Sequence, residues 1–177
     1  DEDKIRFLFI GRVMREKGVD ELFAAMSKLN KEGYDCELDV LGEMEENYAD
    51  ILAQYEREGW LHYRGYQEDI RPYVKKCHCF VLPSWHEGMA NTNLECAACG
   101  RPVITSNISG CREAVIDCIS GFLCKRKNSD DLVKVIEYFI QLSYQERKNM
   151  GLAGRMHMEE VFDKEKVVEE TLKELTV

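Results

Sequence analysis

Short apolar runs that stop at a glycine or a proline recur along the chain and predict the strands of a sheet. The first run covers residues 5–10 and is followed by Gly11, and the fourth ends before Pro83. Because the runs are short and mostly apolar on both faces, they are typical of parallel strands buried between two layers of helices. The predicted strands cover residues 5–10, 36–41, 61–64, 79–82, 102–105 and 121–124.

Apolar residues at helical spacing follow the first and the last of these runs. One helix face carries Val19, Leu22, Phe23, Met26 and Leu29, and a second carries Leu132, Val135, Ile136, Phe139 and Ile140. Ser129 or Asp130 is predicted to be the N-cap of the second helix, because both are good capping residues. The pattern from there on is helical almost throughout, with breaks near Ser143 and Asp163.

The alternation of strands and helices indicates the fold class, because strand, helix and strand at this rhythm form a doubly wound α/β domain. At 177 residues, the chain is long enough for one such domain. We expect a single domain over 1–177: a three-layer, Rossmann-like α/β fold with a mainly parallel sheet of about six strands and a helical C-terminal tail. The last helix is predicted over 163–177, with Val168, Leu172 and Leu175 on its apolar side.

The charge balance argues against several classes of partner. The chain has 24 basic and 33 acidic residues, which gives a formal net charge of −9. Nucleic-acid affinity comes mainly from lysine and arginine that neutralise phosphates, so no binding to nucleic acid is expected. The apolar runs are too short to span a bilayer, and the chain opens with Asp1-Glu2-Asp3 in place of a signal peptide. The expected location is therefore cytoplasmic.

Cysteines in two places resemble halves of a metal site. The two stretches are Cys77-His78-Cys79 and Cys96-Ala97-Ala98-Cys99. Zinc ligands at such spacing usually lie in loops and come with a second pair, whereas Cys79 begins a predicted strand and Cys96 lies in a helical run of small residues. We therefore expect reduced, metal-free cysteines that mostly pack as small hydrophobic side chains.

The turn after the first strand combines features that suit a phosphate. Gly11 and Gly18 bracket three cations, Arg12 and Lys17 among them, and a helix is predicted from about Val19. Glycine permits close approach of the backbone, the cations supply charge, and a helix N-terminus carries unpaired amides. Ligands of open α/β sheets bind at the carboxyl ends of the strands, where this turn lies. Taken alone, the same residues also fit a solvated basic turn.

Two glutamates follow the fourth strand. Glu87 is predicted in the loop and Glu95 about one turn into the next helix, so that both can face one crevice from different heights. A carboxylate accepts two hydrogen bonds from a vicinal diol, which suits a sugar and a ribose. The first-turn amides of residues 91–93 would face a phosphate between them. Whether His86 contacts a ligand beside this crevice is left open.

Glu87 and Glu95, with seven residues between them, resemble the E-x7-E signature of retaining glycosyltransferases with the GT-B fold, in family 4 (glycosyltransferase group 1). Further matches to that family are Gly88, Asn91, Gly100-Arg101-Pro102-Val103-Ile104, Gly11-Arg12 and Lys17-Gly18. The resemblance covers essentially the whole chain but only the C-terminal, nucleotide-sugar-binding half of the family. It implies that the N-terminal acceptor domain is missing, which agrees with a chain that begins without Met, and that helix 163–177 would pack toward that domain.

The resemblance implies roles for the matched residues. Arg12 and Lys17, beside the turn at Gly11, would hold the diphosphate. Glu87 would contact the donor sugar, and Glu95 would bind the ribose diol. Backbone amides would come from Gly88, Asn91, Thr92 and Asn93, and the base would lie against Tyr66-Gln67-Glu68. The catalytic set would be Glu87, Arg12 and Lys17, without a metal or a cofactor. Asn93 stands where the family commonly has an apolar residue.

The implied reaction moves a sugar from a nucleoside diphosphate sugar, a UDP-sugar by preference, to an acceptor hydroxyl with retention of the anomeric configuration. The resemblance places this reaction in polysaccharide or glycolipid synthesis. The chain would be the donor-binding half, inactive alone, of an enzyme that reaches a membrane-associated acceptor from the inner membrane face. Two alternatives remain open: a phosphorylase or nucleotide-sugar epimerase on the same fold, and a nucleotide-sugar sensor without chemistry.

Overall fold

The computed structural model of the chain describes residues 4–163, which form one parallel sheet with helices on both faces. The strands are β1 (Ile5–Ile10), β2 (Cys36–Leu41), β3 (Leu61–Gly65), β4 (Cys79–Leu82), β5 (Val103–Ser106) and β6 (Gly121–Cys124). The six strands lie in the order β3-β2-β1-β4-β5-β6, and every neighbouring pair is parallel. The three-layer α/β prediction is confirmed, and the strand bounds agree with it to within about one residue.

Helices connect successive strands and cover the sheet. Within residues 4–163 they are α1 (Val19–Lys31), α2 (Ala49–Glu58), α3 (Arg71–Lys76), α4 (Asn91–Ala98), α5 (Ser129–Gln141) and α6 (Tyr144–Val161), with short 3-10 turns at Arg15–Lys17 and Arg112–Ala114. Helix α1 packs against α5, and α4 packs against α6. The chain after β6 therefore returns across the sheet, so that α5 completes the layer of α1.

The ends of the C-terminal helices show how capping sets their bounds. Asn128 caps α5, because its backbone is extended and its side chain accepts a hydrogen bond from the Asp131 amide at 2.8 Å. The prediction of Ser129 or Asp130 as the cap was therefore wrong, since both already lie inside the helix. Ser143 caps α6 in a capping box with Glu146, at the predicted break. The helix predicted over 163–177 lies outside the described residues.

Aromatic residues fill the layer between β1 and the helices. Phe7 and Phe9 are fully buried, and the ring of Phe7 meets that of Phe139 edge-on, with 5.8 Å between the centroids. A fully buried phenylalanine contributes roughly 2–3 kcal/mol to stability through the apolar surface it removes from water. The aromatic core therefore holds α5 on β1, the strand at the centre of the sheet.

Most of the cysteines belong to this core. All eight are unbridged, and six are buried. Burial raises the pKa of Cys77 to about 12 and that of Cys36 to about 11. These thiols are therefore protonated at neutral pH and pack as small hydrophobic groups. None of the His, Cys, Asp and Glu side chains within residues 4–163 are grouped so as to hold a metal ion.

None of the helices within residues 4–163 is both long enough and apolar enough to span a membrane.

Candidate functional site

The strand order reverses next to β1, and the turns that follow β1, β2, β3 and β4 meet there at the carboxyl edge of the sheet. This is the position at which open α/β sheets bind ligands. Two neighbouring cavities lie along the edge, which we call the Lys17 cavity and the Tyr66 cavity, and a third, the Glu95 cavity, lies beside them between α3 and α4. The first two share Gly11 and Arg12, and the last two share Ile70.

Two glycines bring the turns of this edge into backbone contact. Gly18 has a left-handed φ of 73°, and a Cβ on it would lie 2.0 Å from the carbonyl oxygen of Pro83. Gly42 has a φ of 139°, and a Cβ on it would lie 1.9 Å from the carbonyl oxygen of Gly11. Only glycine fits at either position. The turn after β1 is therefore held against the turns after β4 and β2, and these contacts form the floor of the crevice.

The Lys17 cavity, of about 250 Å³, contains most of the residues expected to bind phosphate. Its lining includes Gly11, Arg12, Lys17, Glu87, Asn91 and Thr92. These residues come from the turns after β1 and β4 and from the first turn of α4, as the sequence analysis anticipated. The fold thus brings cations from one end of the sequence next to a helix N-terminus more than seventy residues away.

Lys17 and Glu87 form an ion pair inside this cavity. Lys17 Nζ donates to Glu87 Oε1 at 2.6 Å, and the two side chains are 18% and 12% exposed. A charged hydrogen bond of this length, mostly shielded from water, is stronger than a surface ion pair. The pair fixes the direction of both side chains, and it keeps each charge compensated where solvent is limited.

The loop that carries Glu87 is tied to the turn that carries Lys17 by Ser84 and Trp85, to which the sequence analysis gives no structural role. The Glu16 carbonyl accepts hydrogen bonds from Ser84 Oγ at 3.1 Å and from the Trp85 amide at 2.8 Å. The indole of Trp85 donates to Glu21 Oε1 at 3.1 Å. Ser84 and Trp85 therefore position the ion pair by joining the two backbones. Neither the residue type nor the spacing of Ser84 and Trp85 in the sequence indicates this role.

Behind the same loop lies Gly110, a residue to which the sequence analysis gives no structural role. Its φ is 86°, and a Cβ on it would lie 2.5 Å from the carbonyl oxygen of Glu87 and 2.6 Å from that of Gly88. The Gly110 carbonyl accepts a hydrogen bond from the Ala90 amide at 2.7 Å. Gly110 therefore supports the loop from Glu87 to Ala90 from behind. Gly88 itself is exposed and does not line the three cavities described.

Arg12 faces the cavity from the opposite rim. Its Nη1 lies 3.0 and 3.1 Å from the two carboxylate oxygens of Glu45, in the turn after β2. Both side chains are substantially exposed, at 54% and 41%. Solvent weakens such a pair, so the guanidinium can exchange Glu45 for another anion at little cost. Nothing in the sequence pattern signals Glu45, because the contact spans 33 positions and joins two loops.

The first turn of α4 lies at the Lys17 cavity, and its Asn91 amide already donates to the Met89 carbonyl at 3.0 Å, so that amide, contrary to the sequence analysis, does not face a phosphate. The N-cap of α4 is Ala90, whose side chain cannot accept a hydrogen bond from the helix. The Asn91 and Thr92 residues of this turn line the cavity. The positive end of the helix dipole therefore lies where Lys17 and Arg12 add charge.

Asn93 differs from the expectation that its amide faces a phosphate. The Asn93 amide donates to the Ala90 carbonyl at 2.9 Å, and its side chain is fully buried. Asn93 Nδ2 donates to Thr105 Oγ1 at 3.0 Å, and that hydroxyl donates to the Leu82 carbonyl at 2.8 Å. The reason is its place in α4, where the third residue faces the sheet. Asn93 therefore ties α4 to β4 and β5 and does not line the crevice.

Tyr66 and Gln67 lie in the second cavity, of about 280 Å³. The Tyr66 ring is 69% exposed and stands at the mouth, and Gln67 Nε2 donates to the Arg64 carbonyl. Gly42 and Ile70 complete the walls, with the Gly42 carbonyl accepting a hydrogen bond from Tyr63 Oη at 3.0 Å. An exposed ring over a narrow, partly apolar cleft is suited to stacking on a planar base.

Glu95 lies in the third cavity, of about 560 Å³, between α3 and α4. The lining around it is largely apolar, with Ile70, Val74 and Ala98 among its members. The sequence analysis expects Glu95 and Glu87 to face one crevice. In the structure, Glu95 does not share a cavity with Glu87. It sits beyond Ile70, on the side of the Tyr66 cavity, while Glu87 lies with Lys17 on the opposite side.

Comparison with known proteins identifies the family of this arrangement. Residues 1–157 match the family model described as glycosyl transferases group 1. A curated relative, the N,N'-diacetylbacillosaminyl-diphospho-undecaprenol alpha-1,3-N-acetylgalactosaminyltransferase of Campylobacter jejuni, is 31% identical over 134 residues. The aligned stretch is 76% of this chain and 35% of that protein.

Solved structures share the fold. HepE from Anabaena, in complex with UDP and glucose, has a TM-score of 0.83 and 18% identity, covering 98% of this chain and 48% of HepE. The C-terminal domain of the glycosyl transferase group 1 family protein LpcC from Francisella tularensis has a TM-score of 0.78 and 20% identity, covering 90% of this chain and 87% of that domain. The chain spans less than half the length of the Campylobacter relative and of HepE. On the match over residues 1–157, the chain belongs to the glycosyl transferases group 1 family.

Proposed function

We propose that this chain is the donor-binding half of a retaining glycosyltransferase that uses a nucleoside diphosphate sugar, a UDP-sugar by preference. The observation that carries the proposal is the Lys17 cavity, where the Lys17–Glu87 pair, Arg12 and the N-terminus of α4 converge. A diphosphate is the ligand that matches two cations and a helix N-terminus at one place. The full-length enzyme would transfer the sugar to an acceptor hydroxyl in polysaccharide or glycolipid synthesis.

The same groups serve the chemical step. Departure of the diphosphate leaves negative charge on its oxygens, which Lys17, Arg12 and the Thr92 amide, all at the Lys17 cavity, would stabilise. Donors that are fixed before the reaction stabilise developing charge without reorganisation. Glu87, next to Lys17, lies where the sugar would follow the diphosphate, so its carboxylate would accept hydrogen bonds from sugar hydroxyls.

The nucleoside would occupy the other two cavities. The base would stack against Tyr66 beside Gln67, and Glu95 would accept hydrogen bonds from the ribose diol. In such a donor the ribose joins the base to the diphosphate, so the nucleoside would lie across Ile70, which lines both the Glu95 and the Tyr66 cavities, and the diphosphate would extend into the Lys17 cavity. HepE, which shares this fold, is a protein solved with UDP and glucose bound.

The acceptor side rests on the relatives. The Campylobacter relative is named for a diphospho-undecaprenol acceptor, which is a lipid-linked sugar. We propose a lipid-linked or polysaccharide acceptor for the full-length enzyme, which would work at the cytoplasmic face of the membrane through the N-terminal domain that the family resemblance implies.

Calorimetry with the 177-residue chain tests donor binding. UDP and UDP-glucose should bind with similar affinity, and uridine should bind at least tenfold more weakly because it lacks the diphosphate. Equal binding of UDP and uridine would contradict the assignment of the Lys17 cavity to phosphate. Retention is tested in the full-length enzyme by NMR of the anomeric proton of the product. A product of the opposite anomeric configuration to the donor would contradict it.

A further inference from the structure

A further pocket lies at the opposite edge of the sheet, where α6 meets the turn between α4 and β5. Its volume is about 250 Å³, and we call it the α6 pocket. His78 directly precedes β4 and Pro102 directly precedes β5, so the pocket lies at the amino ends of these strands. The Lys17 cavity lies at the carboxyl ends, and the two sites are therefore separated by the length of the strands.

A close contact between two glycines builds this pocket. A Cβ on Gly151, in α6, would lie 2.1 Å from the carbonyl oxygen of Gly100, whose own φ is 72°. The backbone of α6 therefore touches the turn directly. Because of this contact, Arg101 on the turn lines the same pocket as Arg147 and Lys148 on the helix.

The α6 pocket concentrates positive charge in an acidic chain. It is lined by the cations Arg101, Arg147, Lys148 and Arg155, although the chain has a net charge of −9. In the part of the chain that the structure describes, its lining contains no aspartate or glutamate. Glu159 pairs with Arg155 Nε at 2.9 Å, and both of these side chains are more than half exposed. Cations gathered in one cavity repel each other, and a bound anion removes that repulsion.

His78 adds a neutral donor to these cations. Its Nδ1 accepts a hydrogen bond from the Arg6 amide at 2.9 Å, so the proton of the neutral ring is on Nε2. Burial lowers the pKa of His78, and the nearby cations, Arg147 first among them, lower it further. The ring is therefore neutral at pH 7 and offers one N–H group at the wall of the pocket.

The chemistry of the lining selects the kind of anion. Guanidinium groups match the non-bridging oxygens of a phosphate group with paired N–H donors, in a monoester and in a diester alike. Tyr144 and Leu152 line the same pocket and are 57% and 51% exposed, so the ligand also meets apolar surface. We propose that the α6 pocket binds the phosphate group of a phosphate ester, whose carbon portion lies against Tyr144 and Leu152. That group can belong to a small phosphorylated molecule or to a phospholipid headgroup.

An NMR titration of the 177-residue chain with inorganic phosphate, at constant ionic strength, tests the site. The backbone amides of residues 100–101 and 147–148 should shift in a saturable manner. The double variant Lys148→Gln/Arg155→Gln should weaken this binding at least tenfold. Lys28→Gln/Lys31→Gln, which removes the same charge from exposed positions of α1, should leave it unchanged. Amides of residues 11–18 report separately on the Lys17 cavity, so failure of the proposed donor site would be visible independently.

Vesicle sedimentation separates the two sources of the phosphate. Vesicles of phosphatidylglycerol and vesicles of phosphatidylcholine would be mixed with the original chain and with both double variants. Binding to phosphatidylglycerol alone, reduced only by Lys148→Gln/Arg155→Gln, supports a lipid headgroup. Phosphate shifts at the α6 pocket without vesicle binding support a small phosphorylated molecule. If neither phosphate nor phosphatidylglycerol distinguishes Lys148→Gln/Arg155→Gln from Lys28→Gln/Lys31→Gln, the proposal is wrong.

Discussion

Lys17 Nζ and Glu87 Oε1 lie 2.6 Å apart and join the turn after β1 to the loop after β4. Each residue compensates the charge of the other in a site where both side chains are less than one-fifth exposed. A bound diphosphate would take over part of the interaction with Lys17, and Glu87 would then be available to sugar hydroxyls. In the proposed function, the pair therefore couples the phosphate position to the sugar position.

Lys17→Ala should weaken binding of UDP about tenfold to a hundredfold and change binding of uridine little. A charged hydrogen bond is worth about 1.5–3 kcal/mol, and only UDP carries the phosphates that make it. Calorimetry with both ligands measures the difference, and Lys28→Ala on the exposed side of α1 is the matched control. An equal loss for uridine and UDP would mean that Lys17 only supports the fold.

Glu45→Gln should strengthen UDP binding severalfold. The Glu45 carboxylate pairs with Arg12 Nη1 at 3.0 Å, and the ligand must replace that contact before the guanidinium can turn to the diphosphate. Loss of one negative charge at the rim also strengthens UDP binding, because it reduces the repulsion of the anionic ligand. Glu32→Gln, an exposed glutamate at the end of α1, makes the same charge change elsewhere and should have no effect. Weaker binding to Glu45→Gln would show that Glu45 contributes to the site directly.

Glu87→Ala and Glu95→Ala should differ in their effects on UDP binding and on turnover. Glu95→Ala should weaken binding of UDP and UDP-glucose alike, about fivefold to a hundredfold, because both ligands carry the ribose. Glu87→Ala should leave UDP binding unchanged or tighter, since Lys17 loses a competing partner. In the full-length enzyme, Glu87→Ala should lower turnover, because contacts to the sugar strengthen as positive charge grows at the anomeric carbon. Loss of UDP binding in Glu87→Ala alone would reverse the two assignments.

Gly110→Ala should destabilise the fold more than Gly33→Ala. Both glycines have positive φ, at 86° and 93°, so both substitutions introduce backbone strain of about 1–3 kcal/mol. A Cβ on Gly110 would lie 2.5 Å from the Glu87 carbonyl oxygen, whereas nothing lies within 4 Å of a Cβ on Gly33. Urea denaturation measures the free energy of unfolding of both variants. The difference between them isolates the cost of the steric clash at Gly110. Equal losses of unfolding free energy would show that the loop yields to the added methyl group.

Alkylation should distinguish the exposed cysteines from the buried ones. Iodoacetamide at pH 8 should modify Cys99 and Cys118, the two exposed thiols, before the other six. With a pKa of about 12, Cys77 has only about one thiolate in ten thousand at that pH, and its reaction is slow until the pH approaches the pKa. Mass spectrometry of the intact chain counts the adducts. Early modification of Cys77 would show that the core opens on the timescale of the reaction.

Much of the fold was predictable because local periodicity determined it. The apolar runs that became β1 and β4 are bounded by Gly11 and Pro83, and α1 buries the face that the spacing of its apolar residues indicates. The proximity of Arg12 and Lys17 to the loop of Glu87 could also be predicted from the sequence, because the carboxyl ends of parallel strands meet at one edge of the sheet.

What sequence reasoning missed depends on exact register and on contacts between loops. Asn93 turned inward because α4 begins at Asn91, a bound that no local signal defines to the residue. The pairing of Arg12 with Glu45 depends on how two loops approach each other, and spacing along the chain contains no information about it. Glu95 and Glu87 were expected in one crevice, but Glu95 lines the cavity between α3 and α4, whereas Glu87 lines the Lys17 cavity.

The backbone contact between Gly42 and Gly11 limits how the donor preference of this domain can be engineered. Since the two turns touch without a side chain between them, the floor beneath the proposed diphosphate position offers no residue at which libraries of variants would reshape the crevice. Diversity must instead be introduced at the rim, at Glu43, Tyr66 and Gln67, whose side chains line the neighbouring cavity. Grafting these rim residues between related domains, with both glycines retained, is the route by which a new base would be accepted while the diphosphate stays in place.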